Sequence, residues 1–314
     1  MPESLKPSVG IAIPSYKSNA SLVFLVQQAL LLADHVCVVD DCCPLGSGAL
    51  VKDSIQSERV HIIFHKRNLG VGASTIDGWQ LLSDIGCHIL IKLDSDGQFK
   101  TKDVPRLIKP LVDGYAEVCK GNRFAHPKRA LASPKIRLIG NIGLSFITKL
   151  STGYWEIFDP TNGFIAILAQ TYNGLDLSNT SINQRYFFET ELLYYLSIQN
   201  IKVVQIPIEI SYKNHHSSLS PCKELCRFPL LHLKILFKRL LLQYFILDFN
   251  PGSLDLLLFC LFLPASILFA LYLFLQGQVS NQFASPGNIA ILMIMILSSF
   301  QLLLAFFYYD STTQ

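Results

Sequence analysis

The sequence predicts an α/β fold, a mostly parallel sheet with helices on both faces, followed by helices that leave the soluble domain. Three observations predict it. Short β-branched runs at 9–13, 36–39, 60–64 and 88–93 alternate with helical stretches at the spacing of parallel strand–helix units. The second and fourth runs end in acids, Asp40-Asp41 and Asp94-Ser95-Asp96, where right-handed crossovers gather strand ends on one edge. Of the 314 residues half are hydrophobic and only 16% are charged, an apolar excess that lies mostly at the C-terminal end.

The elements follow in order. Residues 9–13 form a first strand stopped by Pro14, and 15–19 a polar turn. Residues 20–32 are a helix, 36–39 a strand, 44–48 a loop, 49–56 a short helix and 60–64 a third strand. Lys66-Arg67-Asn68-Leu69-Gly70-Val71-Gly72-Ala73 then opens a helix through Leu82. The run 88–93 reads as a buried strand delivering Asp94-Ser95-Asp96-Gly97-Gln98. Beyond it come a helix at 103–112, a strand at 116–119, Gly121-Asn122-Arg123-Phe124 and a basic loop at 126–132. Ser133-Pro134 opens a helix to about residue 150 in the N-cap-then-proline manner. A turn at 159–164 precedes a strand at 165–168; 187–198 is helical, and 203–210 is an edge strand broken by Pro207.

From Pro221 the character changes. The stretch 222–249 is apolar but carries Lys223, Arg227, Lys234, Lys238 and Arg239. At helical pitch the first four share one stripe and Arg239 lies off it; Pro229 is expected to kink or split the helix. A basic stripe opposite Leu, Phe and Ile suits an interfacial helix on anionic lipid, or an amphipathic helix packed on the domain. Two apolar spans follow, 254–275 and 289–309, each of about 21 residues and long enough to cross the hydrocarbon core. Their connector, 276–288, has no Lys or Arg, whereas the segment before them is basic. The positive-inside rule then expects the domain and the short C-terminus in the cytosol. The expected division is 1–220 catalytic, 221–250 juxtamembrane and 251–314 a two-helix anchor. Two spans are few for a bundle; a homo-oligomer stays open, with no interface motif to argue for it.

The net charge of +3 is small and suggests no nucleic-acid partner. No basic stretch precedes an apolar one at the N-terminus, so no signal peptide is expected. The 8 cysteines show no C-x-x-C pair and read as reduced cytosolic thiols. Cys222 and Cys226 alone make a poor zinc site.

Two carboxylates at a strand's carboxyl end sit where α/β sheets bind ligands, and hard oxygens there suit Mg²⁺ or Mn²⁺ holding a diphosphate. An isolated Asp-x-Asp is equally a solvated turn. Seven motifs in order give it context: Ile13-Pro14-Ser15-Tyr16, Val38-Val39-Asp40-Asp41, Asn68-Leu69-Gly70-Val71-Gly72, Asp94-Ser95-Asp96-Gly97-Gln98, Gly121-Asn122-Arg123, Asp159-Pro160-Thr161-Asn162-Gly163-Phe164 and Phe187-Phe188-Glu189-Thr190-Glu191. Together, over roughly residues 8–220, they resemble glycosyltransferase family 2, the inverting enzymes on the GT-A (Rossmann-like) fold. The likeness is nearest to the polyprenyl-phosphate hexosyltransferases of the dolichyl-phosphate-mannose-synthase type.

The resemblance implies a nucleoside-diphosphate sugar as donor and a polyprenyl (undecaprenyl or dolichyl) phosphate as acceptor. It puts Asp41 or Asp40 on the base, with Pro14 and Tyr16 as the pocket wall and Asn68, Gly70 and Ser95 against the nucleotide. Asp94, Asp96 and Gln98 form the expected metal and diphosphate site. Arg123 and Arg137 match arginines that hold the acceptor phosphate, and Lys128 and Arg129 are neighbours without a motif match. Glu191, before Glu189, takes the place of the catalytic or acceptor-orienting carboxylate. Bland readings stand beside these: capping acids for Asp40 and Asp41, a surface charge for Arg137, first-turn acids for Glu189 and Glu191. Lys213, His215 and His216 fall where relatives carry a polar acceptor loop, their role open. Two departures stand out: Lys17-Ser18 where relatives often have Asn-Glu, and Cys42-Cys43 where they have Gly-Ser. The address implied is a bacterial inner membrane, or the endoplasmic reticulum in a eukaryote. Transfer to a hydroxyl of a lipid-linked saccharide and a silent nucleotide-sugar-binding scaffold are the rival readings.

Overall fold

The computed structural model describes residues 7–18, 21–96, 101–125, 135–177, 182, 185, 187–209 and 221–313, with backbone only at 135–139, 141 and 221–226. It divides into two units, Met1–Ile235 and Leu236–Gln314. In chain order the elements are β1 (Val9–Ser15), α1 (Ser21–Leu30), β2 (His35–Asp40), α2 (Ser47–Ser54), β3 (Val60–Phe64), α3 (Val71–Asp84), β4 (Ile89–Lys92), a 3₁₀ turn (Thr101–Asp103), α4 (Val104–Val112) and β5 (Val118–Asn122). Then come α5 (Lys135–Thr152), β6 (Ile165–Leu168), α6 (Ala169–Leu175), α7 (Phe188–Ile198), β7 (Val203–Pro207), α8 (Pro221–Leu241), a π-turn (Leu242–Ile246), α9 (Pro251–Ser280) and α10 (Pro286–Thr312).

The strands are apolar on both sides because both sides are covered. Successive side chains alternate between faces, so Val9, Ile11, Ile13, Val36, Val38, Ile89 and Ile91 pack with Leu22 and Val26 of α1 and Leu107 and Leu111 of α4. The interleaved Ala12, Cys37, Val39, Leu90, Ile165 and Ile167 pack with Trp79 and Leu82 of α3 and Phe188, Leu192 and Leu196 of α7. The result is one sheet between two helical layers.

The sheet order is β3-β2-β1-β4-β6-β5-β7. β1 pairs parallel with β2 and with β4, β2 with β3, and β5 with β7. Only β6 runs against its neighbours, β4 and β5. One reversed strand matters for the site. Six strands bring their carboxyl ends to one edge, and β6 brings its entry turn, 159–164, to that same edge. In register, Ile165 of β6 lies between Lys92 of β4 and Lys120 of β5.

Some expectations shift. β1 continues through Pro14 to Ser15 because β4 pairs with it only as far as Ala12, so a proline beyond that ladder removes no bond to β4. The expected strand at 203–210 ends at Pro207. α6, directly after β6, was not expected. Helix α8 runs through Pro229 without interruption.

In the second unit, Arg239 near the end of α8 is buried and pairs with the buried Asp310 of α10, Nη1 to Oδ1 at 2.7 Å and Nη2 to Oδ2 at 3.1 Å. Tyr244 of the π-turn donates to the same Asp310 Oδ1 at 2.6 Å. Asn250 and Ser253 form a reciprocal capping box at the start of α9. Both α9 and α10 are long and apolar enough to cross a membrane.

Candidate active site

The carboxyl edge of the sheet collects the predicted residues. Asp40 ends β2 and is buried; it accepts from Cys43 N–H at 2.6 Å on Oδ1 and from Gly48 N–H at 2.7 Å on Oδ2. Asp41 accepts from Leu69 N–H (2.7 Å) and Gly70 N–H (2.8 Å), so its carboxylate ties the second strand to the glycine-rich segment. Gly70 has φ +107°, a conformation L side chains rarely adopt, which explains a glycine at the start of α3. His65, unmarked in the sequence, bridges Asp41 (Nδ1 to Oδ1, 2.8 Å) and Asp77 (Nε2 to Oδ2, 2.9 Å). Both acids of the pair therefore hold loops at this edge of the sheet. Asn68 Nδ2 reaches the Asp41 carbonyl at 3.4 Å. Pro14 is buried in β1, and Tyr16 is exposed beside it with Lys17 Nζ 5.5 Å from its ring centre.

At the end of β4, Ser95 accepts from the Ser18 hydroxyl at 2.7 Å, and Asp96 is exposed. Asp94 is engaged from below: Lys92 Nζ contacts its Oδ1 at 2.6 Å and Glu189 Oε1 at 3.0 Å. Lys92 is fully buried. Burial alone pulls its ammonium pKa down, but Asp94 and Glu189 outweigh that and hold it above the usual lysine range. The Gly163 backbone lies against this pair; a Cβ there would collide with Lys92 Nζ and Asp94 Oδ2.

At the end of β5, Arg123 donates through its backbone N–H and Nε to Asp159 Oδ2 (2.9 and 2.8 Å) and through Nη2 to Oδ1 (2.7 Å). Asp159 is fully buried, and Asn162 Nδ2 also donates to it at 3.2 Å. Lys120, equally buried, donates to the Asn162 carbonyl at 2.9 Å. Burial lowers its amine to about 8, against the pull of Glu189 and Asp159. Buried Lys92, Lys120, Glu189 and Asp159 thus line up with the partly exposed Asp94 and Arg123.

Of the predicted residues the edge brings together Pro14, Tyr16, Asp40, Asp41, Asn68, Gly70, Asp94, Ser95, Asp96 and Arg123. Glu191 is half-buried in the first turn of α7, two positions after Glu189. Gln98, Lys128, Arg129, Lys213, His215 and His216 lie outside the described residues; Arg137 lies on α5, its side chain likewise outside them. The sequence reading missed Lys92, Lys120 and His65. A lysine inside an apolar strand run, as in Ile91-Lys92-Leu93 or Val118-Cys119-Lys120, is the signal that marks the first two.

Two carboxylates at a strand end fit a small hard cation that fills its remaining positions with phosphate and water. No group of three or more His, Cys, Asp or Glu side chains placed to hold a metal occurs among the described residues.

The model of the family described as Glycosyl transferase family 2 matches residues 10–173, more than half of the chain. The chain belongs to glycosyl transferase family 2. This family 2 protein is 31% identical over 157 residues to the UDP-N-acetylglucosamine–dolichyl-phosphate N-acetylglucosaminyltransferase of Methanococcus voltae, a match covering 50% of this chain and 61% of that relative, less than two thirds of its length. It is 26% identical over 202 residues to the polyprenol monophosphomannose synthase of Mycolicibacterium smegmatis, covering 63% of this chain and 75% of that one. Among solved structures it is similar to glucosyl-3-phosphoglycerate synthase of Mycobacterium tuberculosis in complex with Mg²⁺ and uridine diphosphate, with TM-score 0.54 and 15% identity over 74% of this chain and 79% of that one. At that identity the likeness bears on the fold, and the GT-A expectation is borne out.

Proposed function

We propose that this family 2 protein is an inverting, divalent-metal-dependent hexosyltransferase that moves a hexose from a nucleoside-diphosphate sugar to a polyprenyl phosphate at the cytosolic face of a membrane. One observation carries the reading: the acid turn after β4, with Asp94 and Asp96, and the end of β5, with the paired Arg123 and Asp159, lie on one sheet edge with the entry turn of β6 between them. Donor diphosphate and acceptor phosphate are both anions: a divalent cation held by the acids would serve the first, and arginine the second. Asp94 and Asp96, with Gln98, would hold Mg²⁺ or Mn²⁺, which offsets charge on the leaving diphosphate when bound. Pro14, Tyr16, Asn68, Gly70 and Ser95 line the nucleotide side, and Asp40 and Asp41 fix its loops.

The acceptor oxygen is already ionised near pH 7 and needs orientation more than a base. Arg123 and Arg137 hold the phosphate by charge-assisted bonds. Glu191 orients the acceptor. The names of the relatives, a dolichyl-phosphate and a polyprenol-phosphate enzyme, support this acceptor class. Two apolar helices after a basic amphipathic helix support membrane anchoring. The organisation proposed is catalytic 1–220, juxtamembrane 221–250 and anchor 251–314.

The test is a donor screen of UDP- and GDP-sugars with undecaprenyl phosphate and Mg²⁺ or Mn²⁺, following sugar label into the lipid-soluble product. Label in lipid that disappears with EDTA supports the reading. Turnover in EDTA, or in Asp96→Ala protein, removes the metal assignment; no transfer from any donor removes the activity.

A further inference from the structure

We infer that Lys92 and Glu189 are positioning residues that set the orientation and net charge of Asp94 for the donor's divalent cation. The inference rests on the proposed donor site and adds two residues to it. Lys92 occupies Asp94 Oδ1 at 2.6 Å, while Oδ2 is the oxygen turned toward Gly163. With Oδ1 held, Asp94 meets a cation through one oxygen. A bare lysine there would cancel Asp94's charge and repel a cation; Glu189, 3.0 Å from the same Nζ, restores it. The trio of Lys92, Asp94 and Glu189 carries one net negative charge, the same as an isolated carboxylate, but with the carboxylate fixed. Nothing in this arrangement is accidental surface pairing, since Lys92 is 1% and Glu189 7% exposed. The link also spans the sheet: Lys92 belongs to β4 and Glu189 to the first turn of α7, 97 positions away. Through it, the helix that carries Glu191 is bonded to the residue beneath the donor site.

The charge argument makes a counterintuitive prediction. Glu189→Gln leaves Lys92 opposed by Asp94 alone and brings the trio to zero net charge. At contact distances in a partly wet site, one unit of charge changes cation affinity on the order of tenfold. The double variant K92M/E189Q removes a charge of each sign and returns the site to the net charge of wild type. A pair that is only structural would change Mn²⁺ affinity only in step with thermal stability, whereas the charge argument predicts loss and recovery of affinity in variants that remain folded.

The experiment uses the full chain in detergent micelles. Free Mn²⁺ is titrated by electron paramagnetic resonance in the presence and absence of UDP or GDP, with thermal melting as a check on folding. Wild type is expected to bind Mn²⁺ in a nucleotide-dependent way. E189Q should bind it about tenfold more weakly, and K92M/E189Q should recover to within about threefold of wild type. Metal-free nucleotide binding should not change in either. Wild-type affinity in E189Q, or a double variant no better than the single, overturns the positioning role while leaving the donor site standing. A wild type that binds Mn²⁺ with neither nucleotide overturns the donor-site reading and this inference with it. A single variant that fails to melt cooperatively leaves the double variant to decide, since it removes the Lys92 charge together with that of Glu189.

Discussion

Gly163→Ala is the smallest change that reaches the candidate site. The added methyl would collide with Lys92 Nζ and Asp94 Oδ2 and stand 3.1 Å from Asp94 Cγ. Lys92 cannot swing away cheaply, being fully buried and gripped by two carboxylates, and the Gly163 backbone is fixed between the Asn162 turn and β6. Overpacking of this kind costs roughly 1–3 kcal/mol. Asp94's side chain is 28% exposed, so water recovers part of any loss at the ion pair, and a total of about 2 kcal/mol is expected. For a domain of this size that lowers Tm by roughly 4–8 °C. Nucleotide-dependent Mn²⁺ binding should fall at least tenfold, beyond what the stability loss explains, because the methyl displaces the Asp94 carboxylate itself. Differential scanning calorimetry and Mn²⁺ titration measure the two effects separately. A variant that melts within about 1 °C of wild type and binds Mn²⁺–UDP equally well would refute the packing argument.

Asp159→Asn weakens the grip on Arg123 and should raise KM for the lipid acceptor severalfold with the donor KM unchanged; an altered donor KM alone would contradict the assignment of Arg123 to the acceptor side. Glu191→Gln should cost only a mild loss of turnover if the acceptor is a phosphate, whereas near-complete loss points to a hydroxyl acceptor and a true general base. His232 is buried, with Nδ1 2.8 Å from Ser151 Oγ and its ring 5.0 Å from that of Phe187. Burial lowers its pKa to about 4 from 6.5. Between those values the unfolded state binds the extra proton, so stability should fall as pH drops from 6.5 to 4, by up to about 3 kcal/mol. His232→Gln should remove that part of the acid sensitivity in thermal melts; an unchanged pH profile would show that another group is responsible.

Local pattern made most elements legible. Residues 60–64 and 165–168 coincide with β3 and β6, because β-branched runs bounded by turn residues admit few other readings. Direction is another matter. Nothing in Ile165-Ala166-Ile167-Leu168 says that β6 runs against the sheet, since register and direction are set by distant partners. α6 was invisible because it starts on Ala169 directly after β6, with Leu168 in place of a capping side chain. The acids and Arg123 could be found from motif order. Their partners could not: Lys92 meets Glu189 across 97 positions, and His65 meets Asp41 across 24. A strand lysine announces only that something must neutralise it. Nor did the motif show that the Asp40 and Asp41 oxygens are engaged by Cys43, Gly48, Leu69 and Gly70 backbone N–H groups.

The bond between Arg239 and Asp310 joins points 71 positions apart, one before the first apolar helix and one at the end of the second. A chain that leaves and returns to the same guanidinium has made an even number of passages. In the proposed membrane arrangement residues 239 and 310 therefore share one side, and a reporter placed after Asp310 would read out the side on which α8 ends. The same geometry sets a limit for truncation. Removing the last turn of α10 would take away the carboxylate that both Arg239 and Tyr244 use, and the loss would be felt at the start of the hairpin, where the deletion was not made.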